Sequence, residues 1–279
     1  MNTLDALILG AVQGLTEFLP ISSSGHLVVA QWLLGFKEPE VFFDVMLHIG
    51  TFCAVLIVFR KNVAEILLEF FDICKVLAGK KRLPPGQTLP VFLVNSMVGK
   101  VVIGTIPAVI VGFFFKDQIE ELFASPFIVG INFLITGFIL LMTRWAPIYP
   151  RSYFPLPTSL HALVIGIAQA IAILPGISRS GSTISIALIT GCSRPASGTF
   201  SFLLFIPAVL GAAVLQMRHV VHNSIPFVSA VTGFLSAFVV GYIALKVLLK
   251  TVLQGSFYKF SFYCFFAGIV TLVLVFIRH

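Results

Sequence analysis

The chain has 279 residues, of which 58% are hydrophobic and only 10% are charged, and its mean hydropathy is +1.05. This composition excludes a soluble globular protein and indicates a polytopic membrane protein. The formal net charge of +7 is spread over the predicted loops, so we expect the bilayer surface, and no nucleic acid, as its partner. Because no stretch has the composition of a separate soluble domain, residues 1–279 are interpreted as a single integral membrane domain.

The N-terminal stretch predicts two half-helices, at about 4–19 and 23–35. Each apolar run is shorter than the ~20 residues that a transmembrane helix needs. Between them the sequence reads Leu-Pro-Ile-Ser-Ser-Ser-Gly-His at residues 19–26. Irregular backbone at membrane depth is tolerated only where protein or a water-filled cavity satisfies its polar groups. The stretch is therefore interpreted as a re-entrant helix–loop–helix unit.

The rest of the chain predicts six full crossings and a second re-entrant unit at about 157–192. The predicted crossings are 41–59, a long span at 89–115 broken by Lys100 and Pro107, 126–142, 197–216, 226–245 and 260–277. Residues 63–77 have amphipathic spacing that is typical of a helix at the membrane interface. The predicted fold class is an all-α polytopic membrane protein with about six full transmembrane helices and two re-entrant units.

The second re-entrant unit breaks at Leu-Pro-Gly-Ile-Ser-Arg-Ser-Gly-Ser-Thr, residues 174–183. An arginine inside the membrane costs ~2.5–3.5 kcal/mol on insertion scales, so Arg179 indicates a functional site. A guanidinium, several hydroxyls and the free N–H groups of a helix start together predict an anion site, with phosphate as the natural ligand. The predicted phosphate ligands beside Arg179 are Gln13, Ser22, Ser24, Ser178, Ser180 and Thr183.

The two breaks share a pattern, Gly-x-x-Gln, then Leu-Pro, then Ile-Ser-x-Ser-Gly. The residues that recur 156 positions later are Gly10, Gln13, Ile21, Ser22, Ser24 and Gly25. The Leu-Pro pair recurs after 155 positions, which implies one inserted residue. Paired broken helices are typical of repeat-built transporters. We therefore predict two repeats, at about 1–145 and 157–279.

The basic residues predict the orientation in the membrane. The loops at 60–82, 144–151 and 246–259 carry most of them and are assigned to the cytoplasm, whereas the opposite loops hold Lys37, Lys116 and Arg218. Both termini then lie outside. Three full crossings separate the two re-entrant units, so the repeats are inverted and two half-helix starts can meet near the midplane.

Glu17 is the predicted carboxylate of the site. All eleven acidic residues lie at or before Glu121, so a carboxylate must come from the first half. Glu17 follows Gln13 by four residues, which places both side chains on one helical face. A buried glutamate beside an arginine stays ionised and could act as base, acid or cation ligand. The alternative is a purely structural Glu17–Arg179 ion pair.

Ser23 is the first choice for a nucleophile. Serines at a helix start often serve only as N-caps, but three in succession exceed what a cap needs. His26 can share a face with Ser23 in the first helical turn, as its base or as a leaving-group acid. Attack by His26 itself, or by water activated at Glu17, stays open. Asp44 and His48 are interpreted as polar lining of a span.

These motifs resemble the bacterial undecaprenyl-pyrophosphate phosphatase family, also called bacitracin-resistance proteins. The family's Glu/Gln-x-x-x-Glu motif is present at residues 13–17, and its Pro-Gly-x-Ser-Arg-Ser-x-x-Thr motif at residues 175–183. Position 13 is Gln where some members have Glu, which leaves Glu17 as the motif's only acidic metal ligand.

The resemblance implies a phosphatase that converts undecaprenyl pyrophosphate to undecaprenyl phosphate. This reaction recycles the lipid carrier for cell-wall synthesis and confers bacitracin resistance. The resemblance also implies a divalent cation, Mg²⁺ or Ca²⁺, and a plasma-membrane location with the active site facing the periplasm or cell exterior. Whether the protein forms a homodimer is left open.

Two rival interpretations were weighed. A lipid-phosphate or anion transporter, or flippase, could use the same broken helices and the same arginine. Ser23 and His26 favour an enzyme, because a carrier needs no nucleophile. The phosphatidic-acid-phosphatase type of membrane phosphatase is excluded, since it needs a His/Asp pair after Ser-Arg and no Asp or Glu follows Arg179.

Overall fold

The computed structural model describes residues 2–34, 41–146, 156–216 and 226–278, which form thirteen α-helices and no β-strand. The helices are α1 Thr3–Phe18, α2 Ser23–Leu33, α3 Val41–Val58, α4 Arg60–Leu77, α5 Leu89–Asn95, α6 Met97–Phe114, α7 Lys116–Phe123, α8 Pro126–Met142, α9 Ser159–Ile171, α10 Arg179–Ile189, α11 Arg194–Gln216, α12 Phe227–Leu253 and α13 Phe260–Arg278. The predicted all-α class is confirmed. Lys37, Arg151 and Arg218, which were used for the orientation, lie outside the described residues.

Five of these helices, α6, α8, α11, α12 and α13, are long and apolar enough to cross a membrane. Helices α3 and α4 add a sixth candidate as a pair bent by 84°. Helix α4 is therefore nearly perpendicular to α3. A helix at the membrane interface, as predicted for residues 63–77, has this direction relative to a membrane-crossing helix. The prediction of a polytopic membrane protein is confirmed by these spans.

The predicted long span at 89–115 is wrong in detail, because the helix breaks at Ser96 and not at Lys100 or Pro107. Ser96 has an extended backbone (ψ 154°), and its hydroxyl accepts from Gly99 N at 2.8 Å, so it caps α6. Glu69 of α4 accepts the next free N–H groups, from Met97 at 3.2 Å and Val98 at 2.9 Å. These caps satisfy the amides that a helix start leaves unpaired.

The predicted end of the 226–245 span is also wrong, because α12 continues to Leu253. Lys246 and Lys250 therefore stand on the last two turns of this helix and not in a loop. Lys246 Nζ lies 4.2 Å from the centroid of the Tyr242 ring. A lysine at this end of a helix can lay its apolar stem along the protein while its charge reaches the interface.

The four half-helices are short: α1 has 16 residues, α9 has 13, and α2 and α10 have 11 each. At 1.5 Å per residue, the longest spans about 24 Å, less than the ~30 Å hydrocarbon core. Helix α1 packs along α12 in the other half of the chain, and α9 packs along α6. A Cβ on Gly10 would lie 2.5 Å from Gly233 O, and one on Gly166 would lie 2.3 Å from Gly104 O. Only glycine permits these two approaches. The division into repeats at 1–145 and 157–279 stays a prediction.

An apolar cluster lies beneath the tips of both half-helix pairs. Phe18 at the end of α1 is fully buried and packs edge-on against Phe202 and Phe205 of α11, with ring centroids at 5.8 and 6.3 Å. Ile184 of α10 and Leu248 of α12 belong to the same cluster. Inside a bilayer such a cluster stabilises the fold by van der Waals packing, and here it joins the end of α1 to α10, α11 and α12.

Candidate active site

The first tip joins α1 to α2. Ser22, the N-cap of α2, has φ +70°, the left-handed region that residues other than glycine seldom adopt. Its hydroxyl accepts from Gly25 N at 3.3 Å. A backbone held in such a region costs about 1–3 kcal/mol and is found mainly where surrounding structure enforces it. Ser23, the next residue, therefore begins α2 from a constrained backbone.

The second tip joins α9 to α10 and is held by side chains of α8. Gly176 takes the sharp turn with φ +91°. Asn132 Nδ2 donates to Pro175 O at 2.6 Å, and Thr136 Oγ1 donates to Gly176 O at 2.9 Å and accepts from Ser178 N at 3.1 Å. These bonds satisfy the backbone C=O and N–H groups of the irregular turn, which the sequence predicts to lie within the membrane.

The two tips touch, as the sequence predicted. Ser180 Oγ donates to Phe18 O at 3.0 Å, which joins the start of α10 to the end of α1. Arg179 Nη2 donates to Glu17 Oε1 at 3.2 Å, although the two residues are 162 positions apart. The contact brings the two motifs into one buried site, which is called the cleft below.

Glu17 is the centre of this cleft and is only 7% exposed. Its Oε2 accepts a 2.6 Å hydrogen bond from Ser23 Oγ and a 2.9 Å bond from Gln13 Nε2. His48 Nε2 lies 3.8 Å from the same oxygen. With Arg179 on Oε1, both carboxylate oxygens are engaged. A carboxylate this close to a serine hydroxyl has the geometry of a general base for that hydroxyl.

Arg179 lies on an aromatic platform. Its guanidinium carbon is 4.2 Å from the centroid of the Phe205 ring and 5.9 Å from that of Phe202. One guanidinium nitrogen holds Glu17, whereas Nη1 is buried without a hydrogen-bond partner among the described residues. Unused N–H groups on a positioned guanidinium are suited to the oxygens of a phosphate.

His26 does not take the place beside Ser23 that the sequence suggested. Its Nδ1 lies 2.7 Å from Ser22 O, and its Nε2 lies 2.7 Å from Tyr263 Oη. The hydroxyl of Ser23 instead donates to Glu17 of α1, while the imidazole of His26 contacts Tyr263 of α13. The structure therefore does not show the predicted Ser23–His26 contact, and the role of His26 as base or acid stays a prediction.

The other predicted phosphate ligands have partners inside the protein. Ser22 and Ser24 hydroxyls are 3.3 Å apart, as are those of Ser178 and Ser180. Ser178 Oγ accepts from Gly181 N at 3.0 Å and caps α10. Thr183 Oγ1 lies 2.8 Å from Arg179 O and 2.6 Å from Ser201 Oγ. These bonds shape the tips, and the phosphate-binding role of the hydroxyls stays a prediction.

Sequence reasoning missed two residues of the cleft. His48 was interpreted as polar lining, although a histidine inside an apolar span is itself a signal of function. Tyr263 carried no signal, because an isolated tyrosine in an apolar helix is ordinary. Only the fold brings Tyr263 to His26, across 237 positions.

The described residues contain no cluster of three or more His, Cys, Asp or Glu side chains that could hold a metal ion alone. Mg²⁺ commonly uses one or two carboxylates together with substrate phosphates. Glu17 supplies one carboxylate, and Gln13 Oε1 is a buried acceptor without a partner in the described part of the chain. Both oxygens of Glu17 already accept hydrogen bonds from Ser23, Gln13 and Arg179, so a cation at Glu17 would have to displace a donor.

Comparisons with known proteins match nearly the whole chain, and they agree on one family. The family model described as bacitracin resistance protein BacA matches residues 6–270. A protein named undecaprenyl-diphosphatase from Carboxydothermus hydrogenoformans is 42% identical over 279 residues, covering 98% of each chain. Proteins of the same name from Desulfatibacillum aliphaticivorans and Korarchaeum cryptofilum are 43% and 40% identical, covering 99% of this chain and 100% of their own.

Proposed function

Because the chain belongs to the family of the bacitracin resistance protein BacA, we propose that it is an enzyme that hydrolyses undecaprenyl pyrophosphate to undecaprenyl phosphate and inorganic phosphate. Recycling of this lipid carrier supports cell-wall synthesis, and removal of the pyrophosphate that bacitracin binds confers resistance. The observation that carries the proposal is the meeting of Ser23, Glu17 and Arg179 in one buried cleft, at 2.6 and 3.2 Å.

In the proposed first step, Ser23 Oγ attacks the terminal phosphorus while Glu17 Oε2 takes its proton. The bond between this phosphorus and the bridging oxygen breaks, and its electron pair leaves with undecaprenyl phosphate. The phosphoryl group is then esterified to Ser23. Arg179 stabilises charge on the transferring group through its free N–H groups, and phosphoryl transfer depends mainly on such positioning and charge.

Before the second step, Glu17 passes the proton from Ser23 to the departing undecaprenyl phosphate. In the second step, water attacks the phosphoserine and gives a proton to the Glu17 carboxylate, which returns it to Ser23 Oγ. The Ser23 Oγ–phosphorus bond breaks, Ser23 regains a proton, and inorganic phosphate leaves. Glu17 can serve in both steps because Ser23 stays within hydrogen-bond distance of it. His26 holds the backbone of Ser22 in this scheme.

We infer that a divalent cation, Mg²⁺ or Ca²⁺, would be held by the pyrophosphate oxygens and Gln13 Oε1, and by Glu17 where the cation displaces a donor from that carboxylate. When bound, it neutralises negative charge on the phosphates. The residues themselves bind the headgroup and orient Ser23.

We propose that the protein lies in the plasma membrane with its active site open to the cell exterior, as the family resemblance implies. The distribution of basic loops predicts that both termini lie on that side. The substrate then keeps its prenyl chain in the bilayer while its headgroup enters between the half-helices.

Phosphate release from C55 pyrophosphate by the purified protein in detergent tests the proposal. We expect turnover by the wild type and a loss of at least about 10³-fold in Ser23→Ala, as for loss of a nucleophile. Ser22, and not Ser23, caps α2, so this substitution leaves the helix start intact. Near-normal turnover in Ser23→Ala would remove the serine from the mechanism, and no release by the wild type would favour a transporter.

A further inference from the structure

The hydrogen bonds of His26 determine which of its nitrogens carries a proton. A backbone carbonyl can only accept, so the 2.7 Å contact with Ser22 O requires a proton on Nδ1. In the neutral imidazole, Nε2 is then an acceptor. Tyr263 Oη lies 2.7 Å away and donates its hydroxyl proton to Nε2. The two contacts together select one tautomer.

Two aromatic rings also fix the plane of the imidazole. The Tyr263 ring is nearly parallel to it, with an interplanar angle of 14° and centroids at 5.6 Å. Phe133 of α8 meets the imidazole edge-on at 4.9 Å. Tyr263 therefore holds His26 both by its ring and by its hydroxyl, from a helix that belongs to the opposite end of the chain.

The residue that His26 holds is the strained one. Ser22 has φ +70°, and its carbonyl accepts from both the Nδ1 and the backbone N of His26, at 2.7 and 3.2 Å. The direction of this carbonyl determines where the following residue, Ser23, begins its turn of helix. Ser23 Oγ must stay 2.6 Å from Glu17 for proton transfer, and a misplacement of about 1 Å at a reacting group can cost about 10²-fold in rate.

We propose that Tyr263 is a positioning residue of the active site: its hydroxyl holds His26 in the Nδ1–H tautomer, His26 holds the Ser22 carbonyl, and the constrained backbone directs Ser23 at Glu17. This inference rests on the proposed phosphatase function. It gives His26 a role different from that of a base, and it adds a residue from α13 to a site whose reacting groups lie on α1, α2 and α10.

Tyr263→Phe tests the proposal, because it removes one oxygen and keeps the ring against His26. We expect kcat to fall about ten- to a hundredfold, in line with a displaced reacting group, with KM changed less than about twofold because the phosphate ligands are untouched. Tyr258→Phe is the matched control, since the Tyr258 ring lies near Arg144, 5.9 Å from its guanidinium carbon, and should keep wild-type kcat. An unchanged kcat in Tyr263→Phe would overturn the proposal.

The second measurement is the ¹⁵N NMR spectrum of histidine-labelled protein, with the His26 signals assigned from His26→Gln. Wild type should show a protonated Nδ1 and a hydrogen-bonded Nε2 at His26, and Tyr263→Phe should shift Nε2 and mix the tautomers. Unchanged His26 signals in a Tyr263→Phe protein of low kcat would also refute the proposal. If the wild type releases no phosphate, the proposed function fails, while the NMR signals still test the bond to Tyr263.

Discussion

Glu17 has three hydrogen-bond donors around one buried carboxylate, from Gln13, Ser23 and Arg179. Glutamine at position 17 has nearly the same shape as glutamate, but its amide cannot take the proton from Ser23 Oγ. We expect Glu17→Gln to lower kcat about 10²–10⁴-fold, the usual contribution of a general base, as measured by phosphate release. Glu121→Gln, on the exposed face of α7, is the control and should match the wild type. Activity retained in Glu17→Gln would assign proton transfer to another group.

Arg179 has to bind two partners at once, Glu17 on one nitrogen and a phosphate on the others. Lysine carries the charge but not the planar fork, and it cannot lie as flat on the Phe205 ring. We expect Arg179→Lys to lower kcat/KM about 10²-fold or more and Arg179→Ala to abolish measurable turnover. The measurement is the concentration dependence of phosphate release. Equal activity in the lysine variant and the wild type would mean that only a point charge is needed.

The sequence predicts the Glu17–Arg179 ion pair, but it does not predict which group accepts the hydrogen bond of the Ser23 hydroxyl. Glu17 and Arg179 could be paired from the sequence because the second half of the chain has no carboxylate. The partner of Arg179 therefore had to come from the first half, where Glu17 lies in the apolar half-helix before the first break. Ser23 had two candidate bases, and nothing in the spacing of α2 excludes His26. Whether Ser23 meets Glu17 or His26 depends on the backbone direction set by the positive φ of Ser22. A serine at this position does not reveal that φ in the sequence.

At the scale of elements, α8 anchors the second tip through Asn132. Replacing this side chain by leucine leaves the buried Pro175 carbonyl without its 2.6 Å donor. We expect Asn132→Leu to lower the free energy of unfolding by about 1–3 kcal/mol and to reduce turnover, because Arg179 follows directly after this turn. Thermal unfolding in detergent measures the first effect. Thr232→Val is the control, since the Thr232 hydroxyl donates within its own helix α12, to Val228 O.

Helix boundaries could be predicted where residues next to the break cause it. They could not be predicted where a side chain from a distant part of the chain is involved. The breaks at residues 19–22 and 172–178 follow from proline, glycine and serine in the sequence itself. The break at Ser96 depends on Glu69 reaching the first amides of α6. Pro107 was expected to interrupt the span and stands inside an unbroken helix, since neighbouring helices can compensate for a membrane proline.

For the whole molecule, the orientation in the membrane can be tested with a native cysteine. Cys74 on α4 is exposed, whereas Cys192 and Cys264 are buried. If the 60–82 region is cytoplasmic, a membrane-impermeant maleimide should label the protein in inverted vesicles and not in intact cells. Cys74→Ser should remove this labelling. Labelling of Cys74 in intact cells would reverse the orientation and place the cleft on the cytoplasmic side.

The meeting of the two halves could be predicted, but the helix partners could not. The recurring motif implies that the tips approach each other, and they do. That α1 packs along α12 and α9 along α6 depends on glycines such as Gly10 and Gly166, which resemble the many other small residues of a membrane helix. The repeat boundaries stay a prediction.

The separation of Glu17 from Arg179 along the chain has a consequence for biosynthesis. The two residues are 162 positions apart, and a ribosome adds about 5–20 residues each second. For roughly 8–32 s, a nascent chain therefore carries the carboxylate while its guanidinium is still untranslated. During that interval the glutamate lacks the arginine that compensates its charge in the folded protein, so the carboxylate can be buried as an ion pair only after the second motif has been synthesised.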